Sequence, residues 1–146
     1  MARVVVDANV LIAARLARDQ NHESGSAMTG GIDTGTLPTG VVLSDVLEEV
    51  INYLQARSDH GTATATLDAL IESSGFVVEH TPKSDFDAGR SLFRRYDSLS
   101  LTDAIIVAAM QRLDIDYLYS FDDGFDGVPD ITRLATAVNP YGEDTD

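Results

Sequence analysis

Acidic residues stand at four separated places in this chain, each beside a strongly apolar run. They are Asp7 in VVVDANVLIA, Glu48 and Glu49 in LSDVLEEVINYL, Asp103 in SLSLTDAIIVAAM, and Asp122 in YLYSFDDGFD. A carboxylate in such surroundings is costly unless it finds a partner. Four carboxylates drawn together also repel one another. A divalent cation is the simplest group that holds them ionised and close, and an all-oxygen ligand set suits Mg²⁺ or Mn²⁺. The chemistry such a centre supplies is metal-assisted attack on a phosphate ester.

Each acid also has a structural reading. Asp7 can cap the helix that follows it. Asp103 has the capping-box spacing from Ser100, and an acid there complements the helix dipole. The DDGFD segment, with Asp122, Asp123 and Asp126, reads as a solvated Asp-Gly turn. It lacks the alternating acids and terminal Glu of an EF-hand loop. Glu48 and Glu49 are neighbours on one helix, about 100° apart, so only one of them can face a cleft. Glu49 shares a face with Val46, Asn52 and Tyr53, which favours it as the inward acid; Glu48 remains the alternative by one residue.

The elements that must position these residues alternate between strand and helix. Residues 3–6 form a short β-branched run, read as a buried parallel strand. Asn9 reads as the N-cap of a helix over 10–18. Residues 22–28 suggest a weak helix, and GGIDTGTLPTG reads as loop. A second strand at 41–43 leads into a helix from Ser44 or Asp45 to Arg57. A helix over 62–73, stopped by Gly75, precedes a strand at 76–80. Pro82 opens a helix to about Tyr96, and Ser100 caps another that runs to Leu113 and is apolar nearly all round. Strands at 117–120 and 132–137 complete the pattern. The expected architecture is a three-layer α/β/α sandwich with a central, mainly parallel sheet. Such sheets bind ligands beyond the carboxyl ends of their strands, where Asp7, Ser44 and Ser120 fall. Asp103 joins them from the first turn of the apolar helix. One domain over residues 1–140 with a polar, frayed tail over 141–146 accounts for the whole length.

Composition narrows the alternatives. The chain has 146 residues and no cysteine, which excludes disulfides, zinc–thiolate centres and thiol nucleophiles. His22, His60 and His80 are isolated, and no Gly-rich phosphate loop occurs. The N-terminus lacks a secretory pattern and no segment is long enough to span a membrane, so the cytoplasm is the expected location. Net charge is −14, with eighteen Asp, six Glu, nine Arg and a single Lys. That bias resembles proteins of salt-loving archaea. In molar salt the Debye length is only ~3 Å, so an acidic protein can still approach a polyanion.

The four segments VVVDANVLIAA, LSDVLEEVINYL, SLSLTDAIIVAAM and YLYSFDDGFD, in this order and spacing, resemble the four motifs of the PIN-domain nucleases. The branch they resemble most is the small VapC-type toxin of toxin–antitoxin pairs, and the likeness runs from about residue 3 to residue 137. It implies a Rossmann-like PIN fold and hydrolysis of RNA phosphodiesters with Mg²⁺ or Mn²⁺. By position it implies Asp7, Glu49, Asp103 and Asp122 as the catalytic acids, with Asp7, Asp103 and Asp122 on the metal. Asn9, Glu48, Ser120 and Asp126 would be auxiliary, Ser120 at the family's hydroxyl position. The implied partners are an RNA substrate, a cognate antitoxin and an identical subunit, with no membrane. Two other readings are a PIN-fold RNA-processing nuclease and a catalytically inactive PIN-like binding protein; retention of all four acids argues against the second. A phosphatase of the haloacid-dehalogenase type would need DxDxT after the first strand, and Asp7-Ala8-Asn9-Val10-Leu11 lacks both the second Asp and the Thr.

Overall fold

A computed structural model describes residues 2–142. Five strands, β1 (Arg3–Val6), β2 (Thr39–Leu43), β3 (Phe76–Glu79), β4 (Tyr117–Tyr119) and β5 (Thr132–Leu134), form one sheet in the order β3-β2-β1-β4-β5. Every pairing is parallel. Six helices connect them: α1 (Ala8–Arg15), α2 (His22–Thr34), α3 (Ser44–Arg57), α4 (His60–Glu72), α5 (Lys83–Arg95) and α6 (Leu101–Leu113). The right-handed rule for crossovers, applied to this strand order, assigns α1 to α4 to one face and α5 and α6 to the other. The packing of α1 on α2 and α3, and of α5 on α6, agrees with that division. The expected three-layer α/β/α sandwich is the fold observed. No helix among the described residues is long and apolar enough to cross a membrane.

Central strands buried on both faces explain the valine runs. Val4, Val5 and Val6 are wholly buried, as are Val41, Val42 and Leu43 to within 1%. Helix α6 buries every residue from Asp103 to Met110, which is why its sequence shows no polar face. Its partner α5 is held by Arg112, whose guanidinium donates at 2.8 and 3.0 Å to the two oxygens of the buried Asp85 carboxylate.

Several boundaries differ from the sequence reading. Helix α1 starts at Ala8 with Asp7 as its N-cap, not at Val10 behind Asn9, and it ends at Arg15. Helix α2 runs on to Thr34 through Gly30-Gly31, where a loop was expected. Met28 and Ile32 are both completely buried, so core packing outweighs the poor helix propensity of glycine there. Gly75 is not a left-handed helix stop. A Cβ on it would lie 2.0 Å from the Ile32 carbonyl oxygen, so glycine is needed for close approach. At the C-terminal end Tyr141 stands edge-on to Tyr117 and donates its hydroxyl to the Arg3 carbonyl at 2.8 Å. The remainder of the expected tail, residues 143–146, lies outside the described residues.

Candidate active site

Strands β1 and β4 are neighbours, yet the chain leaves β1 toward β2 and leaves β4 toward β5. Their carboxyl ends therefore open a crevice at the switch point of the sheet. A cleft of about 410 Å³ lies there, lined by Asp7, Ala8, Asn9, Glu49, Ser98, Ser100, Thr102, Asp103 and Asp122. Four carboxylates and no Lys or Arg are in that lining.

Asp7 directly follows β1, and its backbone N–H continues the ladder to the Tyr119 carbonyl at 3.0 Å. Its carboxylate accepts from the Ala8 N–H at 2.8 Å and from the Ser120 hydroxyl at 2.7 Å. Ser120 is fully buried and its Oγ also accepts the Asp122 N–H at 3.0 Å. One hydroxyl thus ties the loop after β4 to the acid after β1. Asn9 makes a parallel tie: its Oδ1 accepts the Phe121 N–H at 3.2 Å, and its Nδ2 approaches Asp7 Oδ2 and Ser120 Oγ at 3.4 Å. Asp103 enters from the first turn of α6, where the Ser100 hydroxyl accepts the Asp103 N–H at 3.1 Å. Asp122 caps the short 3₁₀ turn Asp123–Gly127 by accepting the Gly124 N–H at 2.9 Å. The capping roles of Asp7 and Asp122 are therefore real and sit on the same side chains that line the cleft.

Electrostatics mark the site. Burial is the largest cause of a raised pKa at Asp7, which the negative charges of Asp122 and Glu49 push further up. Asp103 is pushed up to about 7, first by burial and then by the charge of Asp7 and by Asp122. Burial is the main cost at both acids, and the neighbouring carboxylates add to it. Clustering of perturbed acids in a cleft is the physical signature of a functional site. Among the described residues, no three acids already stand as a ready-made metal cage.

Glu49 is on the cleft wall, and Glu48, one residue earlier on α3, is not. Asp126 is also absent from the lining: Arg133 clamps its carboxylate at 2.8 and 3.0 Å. The same arginine donates to the Ser120 carbonyl at 3.2 Å, which ties Asp126 to the end of β4. Sequence reasoning missed Ser98 and Thr102 in the wall: Ser98 lies in the turn before α6 and Thr102 in its first turn, and no periodic pattern marks either one.

The two loops flanking the cleft touch at Gly124. Ser98 Oγ donates to the Gly124 carbonyl at 2.7 Å, and a Cβ on Gly124 would lie 2.4 Å from the Ser98 carbonyl oxygen. Gly124→Ala is therefore expected to cost about 1–3 kcal/mol through forced separation of these loops. Thermal melts should show the loss. An unchanged melting temperature would mean that the loops part freely.

Comparison with known proteins agrees with this fold. The PIN domain profile matches residues 4–131. A VapC ribonuclease of Mycobacterium bovis and ribonuclease VapC13 of Mycobacterium tuberculosis are each 33% identical over 139 residues, spanning 90% of this chain and 99% of theirs. Among solved structures, the sarcin-ricin-loop-cleaving toxin VapC20 of M. tuberculosis superimposes with a TM-score of 0.73 at 24% identity, covering 88% of this chain and 98% of its own. VapBC2 of Rickettsia felis, bound to a promoter DNA fragment, gives 0.68 at 12% identity, covering 90% and 97%. A toxin–antitoxin complex from Klebsiella pneumoniae gives 0.63 at 19% identity, covering 93% and 98%. With a four-acid cleft at the switch point and this span of likeness, the chain belongs to the PIN-domain family, among the relatives of the VapC ribonucleases.

Proposed function

We propose that this protein is a divalent-metal-dependent endoribonuclease acting as the toxin of a toxin–antitoxin pair. The observation that carries the reading is the cleft in which Asp7, Glu49, Asp103 and Asp122 meet with no basic side chain among them. An all-carboxylate wall repels a phosphodiester unless a cation intervenes, and its oxygen donors fit a hard divalent ion such as Mg²⁺ or Mn²⁺. Asp7, Asp103 and Asp122 would hold that ion. When bound, it supplies Lewis acidity and a lowered pKa for water. The chain's own residues do the rest. Ser120 and Asn9 fix the Asp7 carboxylate, and the Ser100 cap fixes the start of α6 beneath Asp103. Glu49, across the cleft, is placed to orient an attacking water or accept its proton. No side-chain nucleophile is required. A toxin role is supported by the VapC ribonucleases that share one third of the sequence and by the toxin–antitoxin complex from Klebsiella that shares the fold. The implied partner is an antitoxin, with RNA as substrate.

Inducible expression in a bacterial host tests the role. Growth should stop on induction, with new 5′ ends at discrete RNA positions. Glu49→Gln should relieve the arrest and Glu48→Gln should leave it, because only Glu49 borders the cleft. Arrest by both variants would remove Glu49 from the chemistry. Arrest without new RNA ends would point away from a ribonuclease.

A further inference from the structure

We infer that Arg133 is a positioning residue for the metal-binding acids: braced against Asp126, it holds the segment that carries Asp122 at the cleft wall; this rests on the metal-dependent nuclease reading. The four acids are not held alike. Asp7 directly follows β1 and caps α1, Glu49 lies within α3 and Asp103 within α6, so regular structure fixes their backbones. Asp122 stands on the connection between β4 and β5, just before the turn Asp123–Gly127. Its place depends on what ties that connection down. One guanidinium does so on both sides of it. Arg133, in the middle of β5, donates Nη1 to the Ser120 carbonyl at 3.2 Å, before Asp122 in the chain. It donates Nε and Nη2 to the two Asp126 oxygens at 2.8 and 3.0 Å, after Asp122. The brace spans the segment with Asp122 between its two feet. The rigid fork of arginine suits this double duty, and a lysine ammonium lacks that fixed geometry.

The side chain of Arg133 is 17% exposed and that of Asp126 is 54% exposed. An ion pair so open to water contributes little stability by itself. Its use to the site is placement. Charge adds a second reason. Without a cation Asp122 faces Asp7 and Asp103, and its charge adds to the effect of burial in raising both of their pKa values. The pKa of Arg133 is raised first by its bond to Asp126, and the charges of Asp123 and Asp122 raise it further. Arg133 therefore steadies the loop from behind, while Asp126 occupies its fork and keeps the guanidinium out of the cleft, whose lining holds no arginine. Ligands held in place before the ion arrives bind it more tightly, and loss of an outer partner costs about 10- to 100-fold in metal affinity. Charge alone predicts the opposite sign: removing a positive group beside a cation site should tighten binding.

The test is calorimetric titration of Mn²⁺ into metal-free protein without RNA, for wild type, Arg133→Gln and Asp126→Asn. Both substitutions should weaken Mn²⁺ binding by roughly tenfold or more. The double variant should bind no more weakly than Arg133→Gln, because the same brace is lost in each. Arg133→Lys, which keeps the charge and loses the fork, should stay weak. In cleavage assays the Mn²⁺ concentration for half-maximal rate should rise by the same factor, with a much smaller change in the plateau rate. Far-UV circular dichroism checks the fold; if Arg133→Gln does not fold, Asp126→Asn, at an exposed side chain, decides the question. Unchanged or tighter Mn²⁺ binding in the folded variants, with wild type cleaving RNA, would overturn the brace and leave the nuclease reading standing. Full affinity in Arg133→Lys would assign the effect to charge and overturn it as well. Wild type that binds Mn²⁺ and cleaves no RNA would overturn the nuclease reading, and the titrations would still decide the brace. Wild type that binds no Mn²⁺ would overturn both.

Discussion

Asp7→Asn is expected to reduce RNA cleavage by roughly three orders of magnitude, the several kcal/mol of transition-state stabilisation that a bound divalent ion supplies. In the absence of divalent ions the same substitution should raise the melting temperature by about 2–5 °C. The two effects have one cause. Asp7 is buried beside Asp122 and Glu49, and its carboxylate is disfavoured there when no cation is present. An amide keeps the volume, still accepts the Ala8 N–H, and can offer its NH₂ to the Ser120 oxygen. Charge is lost while the two hydrogen-bonded ties are kept. A variant that is inactive because it has unfolded would show the opposite stability change. A stable, fully active variant would take Asp7 out of the site.

A second large effect is expected in the pH dependence of stability. Asp103 has its pKa pushed up to about 7 in the fold, against an ordinary carboxylate value in the unfolded chain. Between those values the folded protein binds more protons than the unfolded one, so stability falls as pH rises. Metal-free protein should therefore lose stability from pH 5 to pH 8, and Asp103→Asn should flatten that decline. Asp59 and Asp126 have lowered pKa values through the Thr62 backbone N–H and through Arg133 respectively, so they act below this window and do not mask it. Mn²⁺ at about 100 times its dissociation constant should add ~2.7 kcal/mol, because it binds the native cleft and not the unfolded chain. An Asp7→Asn/Asp103→Asn variant should lose the Mn²⁺ increment. It should keep the rise in melting temperature with molar KCl, which comes from screening the net charge of −14. An Mn²⁺ increment that survives in the double variant would put the metal elsewhere.

The convergence of the acids was legible because parallel strands leave few options. Short valine-rich runs followed by polar residues mark strand ends, and strand ends of such a sheet share one edge. Asp7 and Ser120 could therefore be placed together although they are 113 positions apart. Glu49 is preferred to Glu48 from helix periodicity together with the motif resemblance, and it is the one on the cleft wall, although Asn52 and Tyr53 on its face are exposed. Asp126 was less accessible to such reasoning. Its partner Arg133 follows the loop, and nothing in the DDGFD segment shows that the two side chains pair. Helix α2 was hidden for a different reason. Its Gly30-Gly31 pair reads as loop locally, and only burial of Met28 and Ile32 against the sheet makes it helical. Close approach also escaped sequence reasoning. Gly75 and Gly124 sit where neighbouring carbonyl oxygens leave no room for a Cβ, a constraint set by residues far away in the chain.

The central claim is that the acid cleft cleaves RNA with a bound divalent ion. It is tested most directly by mixing purified protein with a panel of single-stranded and structured RNAs, first in EDTA and then with Mg²⁺ or Mn²⁺ restored, with Asp103→Asn run in parallel. The account predicts no cleavage in EDTA, defined fragments on restoring the ion, and none from the variant under either condition. Cleavage that persists in EDTA, or equal fragment yields from wild type and Asp103→Asn, would contradict it.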